Sequence, residues 1–272
     1  MYKRQFLYSC FVTDVLRDAR GEPCGIVMSN RAGRQAVVAK TIVDATDRAV
    51  VARLAGAEFR PYPAGTQTFQ RVVIGGEVQQ GEGMTARVID PPFPGRFPDP
   101  AKAAGGAFQV IEYTLELPMA DGSYASWAAA DQKARTMTYH ADQQFTSDVL
   151  FQVPPDPMHG RRRAEGEWQG VAALPPGAFQ PRGVDRVFVL SGSADVSRRQ
   201  ARALLRPLAL MDLGRRIGVR AASQAADEVD PMAARLESPQ QQIEVLDANG
   251  QPLAWFPTSS FFNGEETRMT LS

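Results

Sequence analysis

The 272-residue chain is 44% hydrophobic and 22% charged, and its 30 basic and 30 acidic side chains cancel. This is ordinary globular composition, long enough for one large domain or two small ones. Balanced charge argues against a nucleic-acid or membrane-surface partner, and two cysteines and two histidines are too few for a disulfide framework or a histidine-based metal site.

Residues 1–5 (MYKRQ) are polar and basic, and no apolar run approaches the ~18 residues of a membrane-crossing helix. The default expectation is therefore a cytoplasmic protein. The opening also looks like a start inside a longer reading frame, which predicts a missing N-terminal segment. Residues 5–15 alternate as a strand, residues 18–21 turn, and residues 24–28 form a second strand. Residues 35–44 (QAVVAKTIVD) read as a third strand, whose apolar end suggests burial on both faces, as in a parallel sheet. A helix follows to about Leu54. Thr46 or Asp47 can cap it, and Gly56 ends it.

Residues 59–181 have a different texture. Prolines crowd in, residues 69–78 and 107–117 are strand-like, and residues 126–146 read as a helix carrying Trp127 and His140. Gly81, Gly83 and Ala86 match G-x-G-x-x-A, but Pro91, Pro92 and Pro94 stop any helix soon afterwards, so no dinucleotide fingerprint is read there. Arg161, Arg162 and Arg163 read as a solvated basic loop. Residues 185–190 (DRVFVL) form a short buried strand, followed by the small-residue turn 191–195. Residues 198–206 are helical, and Pro207 breaks that helix or opens the next. The second helical piece runs to about Asp227 and carries Gly214 and Gly218 four residues apart. Each glycine costs about 1 kcal/mol against alanine, so close approach by another element or a ligand is the expected reason. Asn249-Gly250 signals a hairpin turn in the tail. Ser193 lacks the G-x-S-x-G elbow of a hydrolase, whereas His140 and His159 are acid–base candidates in the middle region.

Two blocks carry a resemblance. VAKTIVDATDRAVVARLAGAEF looks like the FAD-dependent oxidoreductase superfamily of the glutathione-reductase type, where a strand ends in A-T-G, leads into a helix and closes in A-G-A. The block around residues 184–226 resembles the closing piece of that family. There a strand-end turn packs on the ribityl chain and pyrophosphate, and amides before the first helix glycine face the flavin. The resemblance implies an α/β fold of mixed α+β character. It would be a partial three-layer FAD/NAD(P)-binding domain, without the G-x-G-x-x-G unit, and with an inserted mixed β-sheet substrate domain. Residues 1–58 and 183–230 would form the cofactor domain, 59–182 the insert, and 231–272 an extension.

By the same resemblance FAD is the cofactor and a small molecule the substrate. The cofactor-facing residues would be Val12 by its backbone at the adenine, Ala45 and Thr46, then Gly192, Ser193, Ala194 and Asp195, and finally Asp212, Leu213 and Gly214. Asp47 departs from the family's glycine, adding bulk and charge, so helix capping is its expected work. The resemblance implies flavin-mediated oxidation or reduction. The alternative is a non-catalytic α/β scaffold that holds no cofactor.

Overall fold

The computed structural model describes residues 6–94, 107–147, 153–154, 156–229, 231 and 233–236. The described residues up to Arg235 form one compact unit. The expected turn at Asn249-Gly250 lies outside the described residues.

Strands β1 (Phe11–Arg17), β2 (Pro23–Asn30) and β3 (Gly33–Val38) form an antiparallel meander. The first turn is built by Asp18, whose Oδ1 accepts the amides of Arg20 at 2.8 Å and Glu22 at 3.1 Å, while Gly21 takes a φ of +82°. At Gly25 a Cβ would lie 2.3 Å from the Val37 carbonyl oxygen, so no side chain fits between β2 and β3 there.

The single strand expected over residues 35–44 is two. After β3 the chain breaks from the meander and resumes as β4 (Ile42–Asp44), which pairs in parallel with β9 (Val187–Val189). The physical reason is a change of partner. Residues 34–38 are exposed and pair with β2, whereas Ile42 and Asp44 are buried against β9. Helix α1 (Val50–Leu54) follows β4, and Gly56 with a φ of +87° ends it.

This small parallel pair is the middle of three layers. Ile42, Val187 and Val189 pack on one side against Val15 of β1 and Val51, Ala52 and Ala55 of α1 and its end. Phe188 packs on the other side against Leu213, Ile217 and Ala221. Those residues belong to helix α4 (Pro207–Asp227), which follows α3 (Arg198–Leu204). Pro207 opens α4 at a first-turn position, and Ser197 caps α3 with a reciprocal bond from Gln200.

Between these pieces lies an antiparallel sheet of β5 (Gly65–Ile74), β6 (Met84–Pro94), β7 (Ala107–Met119) and β8 (Phe145–Thr146), in the order β6-β7-β5-β8. Helix α2 (Tyr124–Met137) covers one face, with Trp127 edge-on to Phe69 at 5.1 Å between ring centroids. Residues 81–86 lead into β6, not a helix, and β6 is an edge strand, where prolines remove no needed ladder bond. The helix expected to reach Thr146 ends at Met137. Thr138 turns its hydroxyl back to the Ala134 carbonyl at 2.8 Å, and residues 145–146 pair with β5 instead. His140 sits so close to Gly76 that a Cβ there would lie 2.7 Å from it. The chain reaches and leaves this sheet side by side: Phe59 bridges Met158, and the Arg60 amide donates to the Pro157 carbonyl at 2.9 Å.

Candidate functional site

Strand β4 ends in Asp44, Ala45 and Thr46, and the Leu190 amide just past β9 donates to the Asp44 carbonyl at 2.8 Å. The strand end at Ala45-Thr46 and the turn through Gly192 are therefore neighbours. Leu190 also touches α4, since a Cβ on Gly214 would lie 3.7 Å from its Cδ2. Three segments remote in sequence converge at one sheet end. In parallel α/β sheets such strand ends are where ligands bind, because loops and helix starts gather there.

Asp44 organises its side of the junction. Its buried carboxylate accepts the Thr46 amide at 3.0 Å, the Thr46 hydroxyl at 2.7 Å and the Ala52 amide at 3.0 Å. Thr46 in turn accepts the Val50 amide at 2.8 Å. Thus Thr46 and Asp44 satisfy amides of α1, while Asp47 points to solvent without that role. The expectation of capping by Asp47 is corrected here, since the buried aspartate three positions earlier already holds the amides within reach. Ala45 is exposed and Thr46 half-buried.

On the other side, Gly192, Ser193, Ala194 and Asp195 are all buried beneath residues 158–164 and 178. The Ser193 carbonyl accepts the Met158 amide at 2.8 Å, and the Asp195 carbonyl accepts the Ala164 amide at 2.9 Å. The Asp195 carboxylate accepts the Gly160 amide at 2.9 Å and pairs with Arg60, whose guanidinium also lies 3.3 Å from His159 Nδ1. Gly160 has no room for a Cβ, which would come within 2.8 Å of the Asp195 Cβ. The Ser193 hydroxyl is buried and has no protein partner among the described residues, an orphan that a ligand oxygen can satisfy.

In α4, Asp212 pairs with Arg215 at 3.1 Å, Leu213 is core, and Gly214 is half-buried against Leu190. The helix begins at Pro207, so these three lie in its second turn, with amides aimed at the turn before. The amides left open by helix geometry are those of Leu208 and Ala209. Val12 is half-buried beside the core under β4, at a register shift between Val12 and Asp14. His140 accepts the Asp142 amide at 3.1 Å in its own turn, away from the junction.

A third polar knot braces the junction from below. Arg186, buried and at a φ of +62°, donates to Asp18 at 2.9 Å and to Glu228 at 2.7 Å. Burial raises the Asp18 pKa, but the Arg20 and Glu22 amides and the Arg186 guanidinium outweigh it and leave the carboxyl below its ordinary value. Arg186 likewise holds Glu228 down. Cys10 and Cys24 are free thiols, and burial pushes Cys24 up. No group of metal-ligating side chains occurs among the described residues, and no described helix is long and apolar enough to cross a membrane.

A scan of protein families matches residues 2–225 to the FAD dependent oxidoreductase family. The chain belongs to the FAD-dependent oxidoreductase family. FAD is the cofactor on which this family depends, and the fold is mixed α/β. No curated protein matches the sequence. Solved structures similar to this family member include CabE, an aromatic hydroxylase from angucycline biosynthesis, at 16% identity and a TM-score of 0.41, over 80% of this chain and 39% of that one. BexE, studied for oxidation during BE-7585A biosynthesis, is 17% identical with a TM-score of 0.37, over 79% and 39%. A triple mutant of the flavin-dependent brominase Bmp2 is 10% identical with a TM-score of 0.34, over 80% and 52%. The chain thus spans about two-fifths of the length of the first two and half of the third.

Two residues at the junction escaped the sequence reading. Asp44 had a signal, an aspartate two positions before a threonine at a strand-to-helix turn. Arg60 had none, since its partner Asp195 lies 135 positions away.

Proposed function

We propose that this chain supplies the flavin-facing walls of an FAD-dependent oxidoreductase that oxidises or reduces a small organic molecule. One observation carries the reading: β4 and β9, from the two blocks that resemble the family, pair in parallel and present Ala45-Thr46, the 192–195 turn and Gly214 at one end. The cofactor would run along this end, with Val12 on the adenine side, Ala45 and Thr46 beside it, and Gly192, Ser193, Ala194 and Asp195 below. Asp212, Leu213 and Gly214 would border the flavin. The fit rests on the exposed Ala45 and the orphaned Ser193 hydroxyl. Bound there, FAD supplies hydride and electron transfer, while the chain binds and orients. Residues 1–58 and 183–230 then form the cofactor domain, residues 59–182 the substrate domain, and residues 231–272 an extension.

The outer edges of the β4–β9 pair have no strand partner among the described residues, and no G-x-G-x-x-G opens a helix in this sequence. We therefore assign the pyrophosphate clamp to a βαβ unit supplied from upstream coding sequence. The test expresses the 272-residue chain alone and extended by that sequence. The chain alone is expected to purify colourless and the extended protein yellow, with one FAD per chain. Stoichiometric FAD on the chain alone overturns the supplied clamp. A colourless extended protein overturns the flavoprotein reading and leaves the cofactor-free scaffold.

A further inference from the structure

The face of the antiparallel sheet opposite α2 borders an open cavity of about 400 Å³, bounded on the far side by α3 and by Leu205 and Arg206 after it. This volume is within the usual range for small-molecule sites. Arg199, Arg202 and Arg206 project into it, and their spacing of three and four residues puts them on one side even as the chain passes from α3 to α4. The acids that face them are spoken for. Glu167 meets Arg199 at 3.2 Å on the surface, and Glu112 is held by Arg87 at 2.7 Å. No ion pair reaches Arg202 or Arg206 among the described residues. Burial lowers the Arg202 pKa; Glu112 opposes this, and Arg206 and Arg199 add to it.

Arg202 is half-buried while Arg199 and Arg206 are exposed, and three like charges on one side repel one another unless an anion sits between them. Guanidinium forks match a carboxylate with two parallel bonds. The remaining wall is apolar: Trp168 and Leu205 are half-buried, and Val153 is buried. Such a wall favours an anion with an apolar body over a bare inorganic one. Gln70, from β5, offers an amide at the sheet side.

We propose that this cavity binds a small organic carboxylate, its anionic head on Arg202 and Arg206 and its apolar body against Trp168. This is a claim about binding and stands apart from the flavin reading, so it is tested without flavin. Isothermal titration of the full chain uses cyclohexanecarboxylate, the neutral cyclohexanecarboxamide and inorganic phosphate. The carboxylate is expected to bind one per chain and more tightly than either comparison compound. Arg202→Gln and Arg206→Gln are each expected to weaken it roughly tenfold or more, while Arg215→Gln leaves it unchanged. Arg206 is exposed and makes no capping bond, so its variant keeps the fold, which near-ultraviolet circular dichroism verifies. The proposal is overturned by no carboxylate binding, by equal binding of carboxamide or phosphate, or by a folded Arg206→Gln that binds as the parent does.

Discussion

Strands β4 and β9 are three residues each, whereas β5 and β7 run for ten and thirteen. The short parallel pair is tied by polar groups: Asp44 on the α1 amides, Asp195 on Arg60 and Gly160, and Arg186 between two carboxylates. The long antiparallel sheet is held mainly by bulk, with Phe69, Ile111, Tyr113, Leu115 and Leu117 fully buried against α2. A junction of six residues has few ladder bonds of its own, so directional side-chain bonds add to the apolar packing on its two faces. A broad sheet face needs no such help, because burial of about 25 cal/mol per Å² accumulates along it.

This contrast fails if bulk and polar ties are interchangeable, and three substitutions or titrations probe it. The largest effect is expected from Trp127→Ala, which empties the space beside Phe69 and under the Arg198 guanidinium, 4.8 Å above the indole. Unfolding followed by circular dichroism in urea should show a loss of about 3–5 kcal/mol. Hydrogen exchange should quicken in β5 and β7 before β4. Equal loosening of β4 and β9 breaks the comparison.

A smaller loss, about 1–2 kcal/mol, is expected from Asp44→Ala, which strips the Thr46 and Ala52 amides of their acceptor. Here exchange should quicken in α1 and β4 while β5 and β7 keep their protection.

The smallest effect concerns the matching aspartate of the sheet region. Asp121 accepts bonds from Ser123 and Ser126 at the start of α2, and these bonds lower its pKa from 3.8 to about 2. A depressed carboxyl stabilises above its unfolded value and loses that contribution as pH falls toward the folded one. The start of α2 should therefore loosen only between about pH 4 and 2. Carbon-detected carboxyl titration should give an Asp121 midpoint near 2, with the acid response abolished in Asp121→Asn. A midpoint at the ordinary value removes the exposed counterpart to Asp44.

Much of the junction was legible because its signals are local. Gly56, Pro207 and the small-residue turn at 191–195 each mark a boundary by backbone chemistry that travels with the residue. The prolines after Gly81 likewise ruled out a helix, and β6 stands there. What could not be read depends on partners. The apolar stretch within residues 35–44 does not say that the strand changes neighbours at residues 39–41. The small residues at 192–195 do not announce the Arg60 that ties them down. The arginines at 199, 202 and 206 gain their meaning only when a sheet face closes over them.

The bridge between Phe59 and Met158 places the two ends of a segment of roughly a hundred residues one hydrogen bond apart. Segments with adjoining ends can be exchanged without reshaping what holds them, because the host chain sees only a tight loop. The sheet that closes one side of the arginine-lined cavity is thus mounted like an interchangeable cassette, while the arginines stay with the host chain. Replacing what lies between those two residues would change the sheet-side wall of the cavity and leave the β4–β9 junction untouched.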